Sequence, residues 1–257
     1  MFPKTAGLMA LAALAALGGC ERRPDRSRAA APAALEQASY AAPPSVSLVR
    51  LEGGGVRLSG QAPPGAQVRL GTPEGAAATA QADAAGRWSL GLPPAAQTRI
   101  FGLSANVAGR QVQGQGYVVL TAKGPAAQLR AGAGALRLDP RPTPSLGALD
   151  FDRAGAAIVS GRAPAGSVVF LSLDGRQVDE SRADAAGAYA IALSRPIARG
   201  AHTLQASGDG FANTAMVELA PASPLAAGPM RSQLSKGGVR IDWMTPGGGL
   251  QSTILLD

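Results

Sequence analysis

The sequence predicts an all-β fold of two tandem β-sandwiches with a C-terminal β-hairpin. These follow an N-terminal apolar segment and a flexible tether. Three observations predict it. One block of sequence occurs twice at a constant offset, Ser59 falling on Ser160 and Ala105 on Ala206. Apolar residues alternate with polar ones over short runs, bounded by turn signals about every 8–12 residues. No stretch after the N-terminal segment carries a helical apolar period of useful length.

The duplication is ungapped over the 47 positions from Ser59 to Ala105, of which about fifteen are identical. Shared alanines alone do not produce it. Ser59-Gly60, Ala62-Pro63, Gly65, Val68 and Leu70 align with Ser160-Gly161, Ala163-Pro164, Gly166, Val169 and Leu171. Ala82-Asp83-Ala84-Ala85-Gly86 aligns with Ala183-Asp184-Ala185-Ala186-Gly187, and Trp88 with Tyr189. A fainter match follows. Gly-Pro, Gln-Leu, Leu/Val-Arg-Leu/Ile-Asp and Thr-Pro recur in order after Gly124 and after Gly228, so each sandwich is expected to carry an appended pair of strands.

In chain order, VSLVRL and VRLSG alternate around a turn at Gly53-Gly54-Gly55. AQVRLGT points Val68 and Leu70 inward, and RWSLGL places Trp88, Leu90 and Leu92 on one face. GYVVLTA closes the first copy and AMVELA the second. The Ala-Pro-x-Gly stretches are turns, in which Pro presets one φ and Gly takes a positive one. In each Asp-Ala-Ala-Gly the carboxylate of Asp83 or Asp184 can accept main-chain N–H groups, while Gly86 or Gly187 takes the left-handed position. Both read as hairpin turns that set the register of a core aromatic, Trp88 or Tyr189. Near the C-terminus, Val239, Ile241 and Trp243 share a face. Gly247-Gly248-Gly249 turns the chain, and STILL returns. This hairpin is expected to dock on the second sandwich or to bridge the two, because Trp243 and Ile254 to Leu256 are costly to leave in water.

The runs from Ser59 to Val68 with Ala82 to Trp88, and from Ser160 to Val169 with Ala183 to Tyr189, resemble the bacterial Ig-like domains of surface adhesins and cell-wall-associated proteins. The resemblance covers the central part of each copy, about half of the mature chain. It implies a spacer, adhesive or assembly module, and it says little of a particular function because such sandwiches host many roles.

The N-terminus reads MFPKTAGLMALAALAALGGC. Lys4 gives a basic start, and the apolar run from Leu8 to Leu17, roughly ten residues, is too short to span a bilayer and suits a signal-peptide core. Leu17-Gly18-Gly19-Cys20 resembles a bacterial lipobox, which implies lipidation of Cys20, the one cysteine in the chain. Two or more acyl chains make such anchoring stable. Glu21, rather than Asp, follows the cysteine. By the same resemblance the expected address is the outer membrane, facing the periplasm rather than exposed at the surface. The segment after Cys20 is rich in Ala, Pro and Arg and reads as a tether. Arg22, Arg23, Arg26 and Arg28 are equally consistent with anionic headgroups and with a solvated linker. The expected division is signal peptide 1–19, lipidated Cys and tether 20–43, first sandwich 44–122, linker or appended strands 123–143, second sandwich 144–220 and C-terminal extension 221–257.

Composition and motifs point away from catalysis. Hydrophobic residues make up 46% and aromatics 4% of the chain, with 34 Gly, 20 Pro and a net charge of +7. The positive charge is diffuse and no basic helix is present, so nucleic acid is not an expected partner. The lone histidine, His202, falls on Phe101 in the repeat, a structural position. A hydrolase built on His202 is the least favoured reading, since no Gly-x-Ser-x-Gly elbow precedes a helix. No zinc ligand set exists. Asp150, Asp152, Asp179, Glu180 and Asp184 come nearest to a calcium cluster, but Arg153 and Arg182 among them favour surface pairs. No metal and no cofactor are expected. The reading is a non-enzymatic, membrane-anchored envelope lipoprotein that serves as a scaffold or protein-interaction module, engaging an envelope protein through an edge strand or surface contact. A module for an acidic glycan or peptidoglycan is the alternative.

Overall fold

The computed structural model describes residues 41–257; Leu17, Gly18, Gly19 and Cys20 lie outside the described residues. The described residues form strands, turns and no helix. The first copy supplies β1 (Ser45–Glu52), β2 (Gly55–Gln61), β3 (Gln67–Gly71), β4 (Ala77–Gln81), β5 (Arg87–Leu92), β6 (Arg99–Val107) and β7 (Arg110–Leu120), then β8 (Ala126–Leu129) and β9 (Leu136–Arg137). The second supplies β10 (Ser145–Phe151), β11 (Ala157–Arg162), β12 (Val168–Leu173), β13 (Arg176–Arg182), β14 (Ala188–Ala192), β15 (Gly200–Gly208) and β16 (Phe211–Leu219). It continues into β17 (Met230–Ser235), β18 (Gly238–Met244) and β19 (Leu250–Leu256).

Two tandem β-sandwiches result. Sheets β1-β2-β5 and β4-β3-β6-β7-β8-β9 face each other in the first, and β14-β11-β10-β19-β18-β17 and β13-β12-β15-β16 in the second. The alternating residues fill the two cores: Val49, Leu58, Val68, Leu70, Trp88 and Leu103 in one, Leu149, Val159, Leu171, Tyr189 and Leu204 in the other. The β1–β2 hairpin turns on Gly53 and Gly54, with φ of 57° and 78°. Two successive positive φ angles match the twist of the flanking strands, and glycine adopts them without steric cost.

A third core joins the sandwiches. Ile100, Val119 and Leu129, on the outer face of β6, β7 and β8, pack against Ala148, Ile241, Trp243 and Leu255 from β10, β18 and β19. Tyr117 and Trp243 meet edge to face across it, with ring centroids 6.0 Å apart and planes at 84°. Four sheets therefore stack in chain order, and the two middle ones are covered on both faces where β8 meets β10 and β18.

The C-terminal segment is a three-stranded meander rather than an isolated hairpin. It docks in both of the expected ways. β19 pairs with β10 in the plane of the sheet. Ile254 and Leu256 enter the second core, and Leu255 the third. The appended strands exist in both copies but are not equivalent. β8 and β9 extend their sheet beyond β7, whereas β17 to β19 extend theirs beyond β10.

The recurring Arg-x-Asp of these appended strands forms ion pairs, the first partly buried and the second buried. Arg137 and Asp139 meet at 2.7 Å, Arg240 and Asp242 at 2.8 Å. Arg137 also donates to the carbonyls of Gly147 at 3.2 Å and Leu256 at 2.6 Å, reaching from one sandwich into the other. Arg240 lies over the Phe151 ring at 5.2 Å.

Trp243 has no surface left in water. Trp243→Ala is expected to cost about 3–5 kcal/mol, read by urea unfolding followed through the fluorescence of Trp88. A loss within the range of a surface substitution would show that the third core does not hold the sandwiches together.

Candidate functional site

The two Asp-Ala-Ala-Gly turns bind their own backbone. Asp83 Oδ1 accepts from the N–H of Ala85 at 2.8 Å and of Arg87 at 2.9 Å. Asp184 Oδ1 accepts from Ala186 at 2.8 Å and Ala188 at 2.9 Å. Gly86 and Gly187 both have φ of 77°. The Arg87 N–H, then its guanidinium and the Ala85 N–H, hold the Asp83 carboxyl below its usual range. The hairpin reading of these turns needs correction. β4 and β5 lie in opposite sheets, as do β13 and β14, so each turn carries the chain from one layer to the other. A sheet-crossing turn and a hairpin use the same local chemistry, which is why the sequence does not separate them.

The aromatics that follow explain the Ser-Gly half of the repeat. Gly60 pairs with Trp88 and Gly161 with Tyr189 across the sheet. A Cβ on Gly60 would lie 2.9 Å from the Trp88 ring, and one on Gly161 2.4 Å from the Tyr189 hydroxyl. The ring occupies the space that the missing side chain leaves. Tyr189 also donates to the Ser145 carbonyl at 3.1 Å.

The acidic residues do not form surface pairs with Arg153 and Arg182, contrary to the sequence reading. Asp152 accepts from the N–H groups of Ala154 at 2.8 Å and Ala156 at 3.0 Å, a third turn of the Asp83 type. Asp179 accepts from the Ser194 N–H at 2.9 Å, and Arg182 donates to the Gly166 carbonyl. Among the described residues no three His, Cys, Asp or Glu side chains converge on a metal position.

Asp150 is buried at the third core. It accepts from the Ala135 N–H at 2.6 Å, the Thr253 hydroxyl at 2.5 Å and the Gln251 amide at 3.2 Å. The Trp243 indole N–H donates in turn to Thr253 at 3.0 Å. Burial outweighs these donors and pushes the carboxyl up to about 6. The one available clue is that Asp150 stands where the first copy has exposed Arg50.

His202 contacts Asp174 through Nδ1 at 2.7 Å and the Ala198 carbonyl through Nε2 at 3.0 Å. The nitrogen that would serve a nucleophile in a triad thus faces a main-chain oxygen. Asp174 also accepts from the Thr203 N–H at 2.8 Å. That bond first, and His202 second, hold its carboxyl below the usual range.

One concave feature with unpaired chemistry lies at the end of the first sandwich. It is a cleft of about 400 Å³ lined in part by Leu51, Val56, Pro94, Arg99 and Leu120. Arg99 Nη2 donates to the Pro93 carbonyl at 3.0 Å, and the guanidinium stands 5.7 Å from the Phe101 ring. Arg99 Nε is buried without a partner. Desolvation pushes this guanidinium down from its ordinary value.

The chain matches no protein-family model and no curated protein. Among solved structures it is similar to one titled "Biofilm associated protein - BSP domain", at 16% identity and a TM-score of 0.26. The match covers 72% of this chain but only 30% of that one. It is also similar to the "Central Fibronectin-III array of RIM-binding protein", at 11% identity and a TM-score of 0.29, over 83% of this chain and 88% of that one. Overlap at this level carries nothing about activity or partner.

Two predictions follow from the carboxylates. The folded-state value of Asp150, about 6, exceeds the unfolded value of about 3.9. Its stabilising contribution is therefore complete below about pH 4 and lost as pH rises through about 6. Stability by urea titration is expected to fall by roughly 2–3 kcal/mol across that window and to stay level in Asp150→Asn. An identical slope in the variant would remove Asp150 as the cause. Asp184→Ala is expected to lower stability by about 1 kcal/mol, and Asp83→Ala in the same direction. A calcium-dependent melting temperature that disappears in these variants would overturn the turn-only role.

Proposed function

We propose that the chain is a lipid-anchored, non-enzymatic scaffold or protein-interaction module of the bacterial cell envelope. The observation that carries this reading is the third core. Tandem sandwiches on a flexible linker would report no fixed geometry, whereas sandwiches fused face to face present their edges and end loops as one rigid surface. The lipobox-like Leu17-Gly18-Gly19-Cys20 supports attachment through lipid on Cys20, and Glu21 supports the outer membrane with the module in the periplasm. A partner then engages an edge strand or an end cleft. The excess of Lys and Arg, 24 against 17 acidic residues, favours a second reading, an acidic glycan or peptidoglycan ligand.

Radiolabelled palmitate is expected to enter the wild-type chain and not Cys20→Ala; equal labelling of both rules out the anchor. Pull-down from detergent-solubilised envelopes is expected to recover a protein partner. Salt-sensitive co-sedimentation with purified cell wall, in place of a protein partner, would favour the glycan reading.

A further inference from the structure

The duplication allows the same end of each sandwich to be compared. In the second, the connection from β14 to β15 closes over the core. Ile197 is 5% exposed and packs into the core, and its N–H donates to the Gly155 carbonyl at 2.9 Å. Phe151 is buried in the same core at 3% exposure. In the first sandwich Ala96 stands at the place of Ile197 and is exposed. Leu51, at the place of Phe151, is 70% exposed. Among the described residues no main-chain hydrogen bond joins residues 93–98 to the Gly53-Gly54 turn. The corresponding connection lines the cleft of about 400 Å³ with Pro94, Ala95 and Gln97 and sends no large apolar side chain into it; the counterpart in the second sandwich, lined by Ile197, measures about 270 Å³.

The chemistry also differs between the copies. Arg99 stands where the second copy has Gly200. Its Nε is buried without a partner, and among the described residues it belongs to no ion pair. Glu52, at the rim, is taken by Arg57. The cleft therefore offers an unfilled apolar socket beside an uncompensated cation. It lies at the Leu51 end of β1, opposite the Ser45 end at which the strand begins.

We propose that this cleft binds an extended segment of a partner protein. The segment inserts a branched aliphatic side chain where Ile197 sits in the second sandwich and presents a carboxylate to Arg99. The inference rests on the reading of the chain as an interaction module and names its site. Ile197 supplies the precedent for the apolar half, since the equivalent socket on the same scaffold takes an isoleucine from a loop. The Gly54 carbonyl, counterpart of the Gly155 carbonyl that accepts from Ile197, is placed to accept the ligand's main-chain N–H. Arg99 supplies the charge selection, because a desolvated guanidinium without an acid gains most from a carboxylate.

The test uses the detergent-solubilised full chain and fluorescence anisotropy of a labelled peptide, Ser-Ala-Pro-Ile-Ala-Asp-Gly. This peptide is the Ser194–Gly200 loop with its two arginines replaced, the second by an acid. Saturable binding is expected. It should weaken about tenfold with Asn for Asp in the peptide or with Arg99→Gln. It should vanish in Ala95→Trp, which puts a bulky side chain on a residue that lines the cleft. No saturable binding, or binding untouched by Ala95→Trp, overturns the site. Binding indifferent to Arg99→Gln overturns the carboxylate. A dimer of this chain abolished by Ala95→Trp overturns the partner assignment in favour of a second copy. Envelope pull-down separates the two levels. If Ala95→Trp captures the same partners as wild type, the module stands without this cleft, and if wild type captures none, the module reading fails.

Discussion

The constraint on which the rest of the molecule depends is that strands of its two middle sheets, β8, β10 and β18 above all, are covered on both faces. β10 and β18 keep almost no residue in water. A strand in that position has no solvent to satisfy a polar side chain, so each polar residue it carries must find its partner inside. The Trp243–Thr253–Asp150 chain and the Arg137 and Arg240 pairs are the outcome. Burial pushes the Asp139 and Asp242 carboxyls up, yet Arg137 for one, and Ser252 with Arg231 and Arg240 for the other, leave both below the usual range. Asp150, facing only neutral donors at hydrogen-bond distance, is the carboxyl that burial wins.

The same constraint explains how the copies diverged. An unmodified duplication would leave corresponding faces alike, and stacking in chain order demands that they differ. The outer face of β6 and β7 must be apolar, and its counterpart on β15 and β16 must face water. Ile100 and Val119 correspond to Ala201 and Glu218, both exposed. On β1 and β10 the requirement runs the other way, and exposed Arg50 corresponds to buried Asp150. Identity survives at Ser-Gly, Ala-Pro and Asp-Ala-Ala-Gly because those positions serve the inside of each sandwich and its turns, which stacking does not alter.

This separation decides what was legible. Strand positions, the glycine hairpin at Gly53-Gly54 and the inward residues Val68, Leu70 and Trp88 follow from local periodicity and turn chemistry. Sheet membership does not, since β4 and β5 are neighbours in sequence and partners of different layers. Nor does a period of two reveal that a strand is buried twice. The run Ser145 to Phe151 carries apolar residues on both faces, and only the comparison with β1 shows that one face is new. The opening beside Leu51 and Arg99 shows within the repeat only as Arg99 against Gly200, since Leu51 against Phe151 lies outside the ungapped block that begins at Ser59; the packing of Ile197 in the second sandwich gives both differences their meaning.

The edges of the sheets show a further asymmetry. An unpaired strand edge invites pairing with another chain, and charge along the strand discourages it. β13, at one edge of the last sheet, carries Arg176, Asp179, Glu180 and Arg182. β17, at an edge of the third, carries Arg231, which Asp242 holds at 2.6 Å. β4 occupies in the first sandwich the place of β13 and reads Ala-Ala-Thr-Ala-Gln, without a charge. Its edge therefore has the weakest electrostatic cover of these three. The uncharged edge of β4 and the cleft beside Arg99 both fall on the first sandwich, which leaves its surface less closed there than that of the second.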